Sequence, residues 1–251
     1  MAPNTRAQQN HDALFPNHVS TFAITDPELI EIFDNFAFDE VLQGSTLDVR
    51  TRLMVQLAAI IASQAVREYR AMLPAALNVG VTPVEAKEIV YQAVPYVGLA
   101  KVYDFIHLTN EVLTERGVTL PLPPQSRTNP EDRLAKGLEV QKQIVGDEVV
   151  QRLKETAPAD QQHIQRFLSA NCFGDWVARG GIDIPTRELL TFSMLAALGG
   201  CDPQVKGHVA ANLRVGNDRK RLIDVATQRL PFVGYPRTLN ALRAIDEIVP
   251  A

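Results

Sequence analysis

The sequence predicts an all-α chain made of two copies of one helical bundle. Three observations predict it: short motifs recur in the same order at a nearly constant spacing, apolar residues fall at helical intervals, and helix-start signals punctuate the chain. Leu47-Asp48-Val49-Arg50-Thr51-Arg52 lies over Ile182-Asp183-Ile184-Pro185-Thr186-Arg187, 135 residues on. After a one-residue gap, Ala75-Ala76-Leu77-Asn78-Val79-Gly80 lies over Ala211-Asn212-Leu213-Arg214-Val215-Gly216, and Pro95-Tyr96-Val97-Gly98 over Pro231-Phe232-Val233-Gly234, both 136 residues on. Upstream, Phe38 through Gly44 faces Phe173 through Gly180. Any one match arises easily by chance. Four in order do not.

The elements follow in chain order. Residues 1–25 are polar and broken by Pro, and read as an irregular arm. Residues 26–119 form the first repeat. Asp26-Pro27 gives a cap followed by Pro, a helix start. In Arg50–Ala62, Leu53, Leu57, Ile60 and Ile61 share one helical stripe. Thr82-Pro83-Val84-Glu85 is a capping box, and Gly80 closes the helix before it. Residues 120–130 carry Leu120-Pro121-Leu122-Pro123-Pro124, which cannot be helical, and read as a linker ending on the cap signal Asn129-Pro130. Residues 131–251 form the second repeat, which opens with an extra helical segment over Glu131–Glu155 that has no counterpart in the first. Thr186–Leu198 is apolar nearly all round, as a central bundle helix is. Asp202-Pro203 starts the next helix, and Gly216 closes it.

Composition narrows the function. Of 251 residues, 46% are hydrophobic and 22% charged, which fits a globular protein. Lys and Arg total 25 against 29 Asp and Glu, so no basic surface invites nucleic acid or anionic lipid. The apolar stretches are too short and too interrupted for a membrane span, and the first residues lack a secretory signal's apolar core. A cytoplasmic location is the expectation. Two cysteines and five scattered histidines give no metal-ligand spacing, so no metal is expected. Dinucleotide, P-loop, nucleophile-elbow and zincin signatures are missing.

What remains is Gly199-Gly200-Cys201-Asp202-Pro203-Gln204-Val205-Lys206-Gly207-His208. Cys201 stands ahead of a helix N-terminus, where the dipole lowers a thiol pKa. His208 lies one turn beyond Gln204 on the same face. Glu188, on the preceding helix, reaches this group if the two helices pack antiparallel. Each residue also has a plain structural reading: Cys201 as a small buried apolar residue, His208 as a core histidine, Glu188 as a first-turn carboxylate. The first repeat acts as a control. It carries Ala65, Glu68 and Met72 where the second has Cys201, Gln204 and His208, so the scaffold itself does not require the trio.

Arg187-Glu188-Leu189-Leu190, Leu195-Ala196-Ala197-Leu198-Gly199-Gly200-Cys201, His208, Val215-Gly216 and Phe232-Val233-Gly234-Tyr235-Pro236 resemble the carboxymuconolactone decarboxylase family, which includes alkylhydroperoxidase D-like proteins. The first half resembles it more faintly, through Thr51-Arg52, Ala76–Thr82 and Tyr96-Val97-Gly98. The resemblance implies an all-α fold and a homo-oligomer, with two-repeat chains assembling as trimers. It also implies one of two chemistries. Peroxidase-type members carry Cys-x-x-Cys; here Gln204 replaces the second Cys, leaving Cys172 as the one other thiol. Lactone decarboxylases need no such pair and no cofactor. They imply a carboxy-lyase acting on a small-molecule substrate like 4-carboxymuconolactone. His208 would be the general acid, Glu188 its orienting partner and Cys201 a third catalytic residue. Arg187, Arg214 and Gln204 are the candidate substrate-binding residues. The alternatives are a thiol-dependent peroxidase using Cys201 and a non-catalytic oligomeric binding protein.

Overall fold

The computed structural model describes residues 3–16, 18 and 20–251, and among them every regular element is helical. In the first half these are α1 (Thr5–Leu14), α2 (Phe22–Thr25), α3 (Pro27–Asn35), a π-helical turn (Phe36–Glu40) and α4 (Val41–Gln43). Then come α5 (Val49–Ala62), α6 (Val66–Asn78), α7 (Pro83–Val97) and α8 (Leu99–Glu115). The second half holds α9 (Arg133–Val145), α10 (Asp147–Thr156), a 3₁₀ turn (Ala159–Gln161), α11 (Gln162–Phe167) and a π-helical segment (Leu168–Val177). It ends with α12 (Ile184–Leu198), α13 (Asp202–Arg214), α14 (Arg219–Val233) and α15 (Tyr235–Ile248). The matched motifs fall at equivalent places: α5 with α12, α6 with α13, α7 with α14, α8 with α15. Each half also carries a π-helical stretch at the same point.

The caps explain where these helices begin and end. Asp48, Asp183 and Asp218 each accept the backbone N–H three residues on, at 2.9, 2.8 and 2.7 Å. Thr82 and Glu85 close the capping box reciprocally. Gly80 and Gly216, at φ +94° and +97°, turn the chain out of α6 and α13. Two expectations change. Cys201, not Asp202, is the N-cap of α13, and it makes no side-chain cap. The expected irregular arm over residues 1–25 holds two helices among its described residues, Thr5–Leu14 and Phe22–Thr25: Asn4 caps α1, whose Ala7 and Leu14 are buried. This also supplies the counterpart that the segment after the linker lacked in sequence. The Asn10 side chain of α1 donates to Phe38 O at 2.7 Å, so α1 covers the first π-helical turn. On the other side α9 covers the second, so tightly that a Cβ at Gly137 would meet Ser169 O at 2.0 Å.

The repeats are interlocked rather than set side by side. At the centre α5 lies against α12, and Ser193 Oγ donates to Val55 O at 2.6 Å. Both helices are buried nearly all round, and each large aliphatic there contributes about 1.5–3 kcal/mol relative to exposure. The third helix of each half crosses onto the other. Gln92 on α7 donates to Arg187 O (2.7 Å) and Thr191 Oγ1 (2.9 Å) of α12. Its equivalent Gln228 on α14 donates to Val41 O at 3.0 Å and accepts, through its carbonyl, from Gln56 of α5 at 2.8 Å. A residue on α7 therefore reaches whatever is built on α12 and α13.

Candidate active site

Glu188 lies just past the first turn of α12, toward α13, rather than in that turn as expected, and both its oxygens lie below the surface. Antiparallel packing brings His208 to it: Nδ1 lies 2.7 Å from Glu188 Oε2. Because a carboxylate only accepts, Nδ1 carries the proton and Nε2 is left for other chemistry. Nε2 makes no hydrogen bond among the described residues. Glu188 Oε1 is buried and likewise has none. The pair is held rigidly from behind. Asn212 Nδ2 donates to Glu188 O (3.0 Å) and His208 O (2.7 Å), and Asn217 Nδ2 donates to Asn212 Oδ1 (2.9 Å) and Pro185 O (2.9 Å).

Tyr96, on α7 of the first repeat, completes the group. Its ring stands edge-on to the His208 imidazole, centroids 5.8 Å apart. Its buried hydroxyl lies beside Thr191 and Cys172 without a well-formed hydrogen bond. Burial, then the charges of Cys172 and Glu188, push its pKa well above the usual phenol range. Tyr96 is therefore a firmly protonated donor. Cys172, on the second π-helical segment, is pushed up to about 12, by burial first and by the Glu188 carboxylate. It is a neutral thiol in the wall of the site.

Cys201 takes a different place. Its thiol donates back to Leu195 O at 3.3 Å, at the C-terminal end of α12, and it packs against the main core. No hydrogen bond links it to His208. The predicted lowering of its pKa is reversed: burial and the adjacent Asp202 carboxylate raise it. The physical reason is orientation. The side chain faces the negative carbonyl end of α12 rather than the positive amide end of α13. Both cysteines are free.

Arg187, expected as a substrate-binding residue, is engaged within the core. It is fully buried, with Nη1 on Gln92 Oε1 (2.9 Å) and Nη2 on Glu88 Oε2 (2.9 Å) and Gly180 O (2.7 Å). Arg179 grips the same Glu88 through Nε and Nη2 at 2.8–3.1 Å. Arg187 thus joins α12 to α7 and props the helix that carries Glu188. Gln204 is exposed one turn before His208. Arg214 is exposed at the end of α13, its guanidinium against the backbone of Gly146.

Sequence reasoning missed Tyr96, Cys172, Asn212 and Asn217. The signal that marked His208 also marks them: the opposite half has Phe232, Ala37, Ala76 and Val81 at the equivalent positions. Tyr96 was hidden because it belongs to the other repeat, and only the crossing of α7 onto α12 brings it in. No cluster of three metal-binding side chains occurs among the described residues, and no helix is long and apolar enough to cross a membrane.

The family model for carboxymuconolactone decarboxylases matches twice, over residues 27–111 and 162–247. These ranges cover both helical bundles, from α3 to α8 and from α11 to α15. A 4-carboxymuconolactone decarboxylase of Acinetobacter baylyi is 29% identical over 120 residues, which is 48% of this chain and 89% of that protein. One repeat-sized protein therefore aligns with about half of this chain. By its two family matches and its duplicated helical fold, the chain belongs to the carboxymuconolactone decarboxylase family.

Proposed function

We propose that the chain is a cofactor-independent decarboxylase of a small carboxylated lactone, of the type that 4-carboxymuconolactone represents. The observation that carries this reading is the 2.7 Å contact between His208 Nδ1 and Glu188 Oε2, which leaves Nε2 unengaged. The chemistry is self-sufficient. As carbon dioxide leaves, the bonding pair delocalises through the ring alkene into the lactone carbonyl, so the substrate is its own electron sink. His208 Nε2–H gives a proton to the carbanionic carbon, and Glu188 Oε2, bound to Nδ1, holds the ring in place for that transfer. Tyr96 O–H is the donor to the oxygen on which charge develops, and its high pKa keeps it from ionising in turn. Gln204, exposed on the same helix as His208, is the substrate-side candidate.

A thiol peroxidase draws less support. Cys201 is bonded away from His208 with a raised pKa, and Cys172 is a neutral thiol. Following carbon dioxide release from 4-carboxymuconolactone tests the choice. Turnover well above buffer, lost in Glu188→Gln, is the expected result. Hydroperoxide consumption in its place, abolished by Cys201→Ser, would reverse the assignment.

The expected homo-oligomer has support on the surface. Exposed apolar residues come in equivalent sets: Leu29 and Ile32 on α3 match Ile164 and Phe167 on α11. Leu99 and Tyr103 on α8 match Tyr235 and Leu239 on α15. Two duplicated apolar faces fit a closed ring in which each repeat meets the next quasi-equivalently. Light scattering should give three chains per particle, and a lone chain for Leu239→Arg combined with Tyr103→Arg. A wild-type monomer would remove the assembly.

A further inference from the structure

Arg229, one turn before the end of α14, is a fully buried guanidinium without a counter-charge among the described residues. Its Nη2 donates to Arg237 O at 3.3 Å, in the first turn of α15, while Nε and Nη1 have no partner among the described residues. The favourable group facing it is the Phe192 ring, 5.9 Å from the guanidinium carbon, at the outer reach of a cation–π contact. The charged neighbour is another cation, Arg237; burial first, and then that charge, lower the Arg229 pKa to about 10, leaving it protonated at neutral pH. Neither arginine pairs with a carboxylate among the described residues. A buried ion left this way costs several kcal/mol.

The fold does not demand it. The first half places Ala93, equally buried, at the position of Arg229. A methyl group satisfies that environment, so the guanidinium answers to something else. The surroundings say what. The N-cap of α15 is Gly234, which offers no side-chain cap, so the amides of Tyr235 and Arg237 precede the first intrahelical bond, from Thr238 N to Gly234 O. The exposed Arg237 guanidinium leans over the end of α12, 3.5 Å from Leu198 O.

We propose that Arg229, Arg237 and the first turn of α15 form a binding site for a small oxyanion, a carboxylate or phosphate group. Arg229 supplies buried, unpartnered N–H donors from below, Arg237 closes the site from the solvent side, and the helix end adds its positive pole. This site is separate from the Glu188–His208 pair and does not depend on the decarboxylase reading.

Titrating the full chain with sodium phosphate, and separately with sodium acetate, against sodium chloride at matched ionic strength tests it. Calorimetry and the thermal unfolding midpoint are the readouts. Saturable binding of one of the two anions is expected, and which one binds identifies the group. Arg237→Ala should weaken it by about tenfold or more. Arg229→Met should abolish it while leaving the midpoint in chloride unchanged or higher, because an uncompensated charge is gone. Phosphate and acetate both acting like chloride would overturn the proposal. So would a full response in Arg229→Met. If that variant fails to fold, unchanged affinity in the well-folded Arg237→Ala would do the same.

Discussion

The two repeats place equivalent residues at equivalent positions of the bundle and give them opposite chemistry. In the second, Glu188, His208, Tyr96, Cys172 and Asn212 form a connected polar group. In the first, the same positions are Leu53, Met72, Phe232, Ala37 and Ala76. Every polar member has an apolar counterpart, and Leu53, Met72 and Ala76 are buried in the core. Around Met72 the first half instead opens a cleft of about 720 Å³, walled on one side by Leu14, Phe15, Phe33 and Phe38 and rimmed by His11, Asp34, Arg67 and Glu68. The difference separates two requirements that one structure usually confounds. Shape and apolarity at these sites satisfy the fold, while the carboxylate, imidazole and phenol satisfy something beyond it. The exchange of third helices adds an asymmetry: α7 brings Tyr96 to the polar site, and α14 brings Phe232 to the apolar one.

The largest effect that would sharpen this contrast is on stability. Glu88 is 1% exposed and holds Arg187 and Arg179 together. Glu88→Gln leaves Arg187 buried with its charge uncompensated, and the unfolding free energy should fall by about 3–5 kcal/mol. The equivalent Asp224 instead takes Thr46 and the exposed Lys220. Asp224→Asn should cost only about 1 kcal/mol by denaturant unfolding. Equal losses would mean that the two crossings carry similar load.

On activity, Tyr96→Phe removes a donor of the working site and should lower kcat about 10²-fold with little change in fold. The reciprocal Phe232→Tyr, in the apolar half, should leave kcat unaltered. If Tyr96→Phe were as active as wild type, the developing oxyanion would be met by another group.

These residues also show how far the sequence could be read. The duplication, the helix start at Thr82 and the Glu188–His208 pairing were all legible. Each depends on local spacing or on one antiparallel turn. What was not legible depends on long-range packing. Tyr96 joins a site whose other members lie about a hundred residues later, and Arg187 is engaged by Glu88 on the other repeat. α1 was hidden for a different reason: its residues are mostly polar, and only Ala7 and Leu14 are buried. Cys201 misled because sequence position fixed the helix end it precedes but not the direction its side chain takes.

A smaller effect concerns pH. The Cys172 thiol rises from about 9 to about 12 on folding, so the folded chain holds its proton more tightly than the unfolded chain. Its contribution is complete below pH 9 and declines as pH rises from there toward 12. Cys172→Ala, matched by the native Ala37 of the other half, should therefore blunt the alkaline fall in unfolding midpoint. An unchanged slope would place the thiol in a more open setting. The smallest effect is expected of Cys201→Ser, which should change decarboxylation less than about threefold, because that thiol faces Leu195 O.

The central claim is that one half works and the other only supports it. The most direct measurement is kcat/KM for carbon dioxide release from 4-carboxymuconolactone in two single variants, His208→Ala and Met72→Ala, which truncate the same position in each repeat. The account predicts a loss of about 10³-fold for the first and a change within about threefold for the second. A His208→Ala enzyme as active as the Met72→Ala enzyme would contradict it.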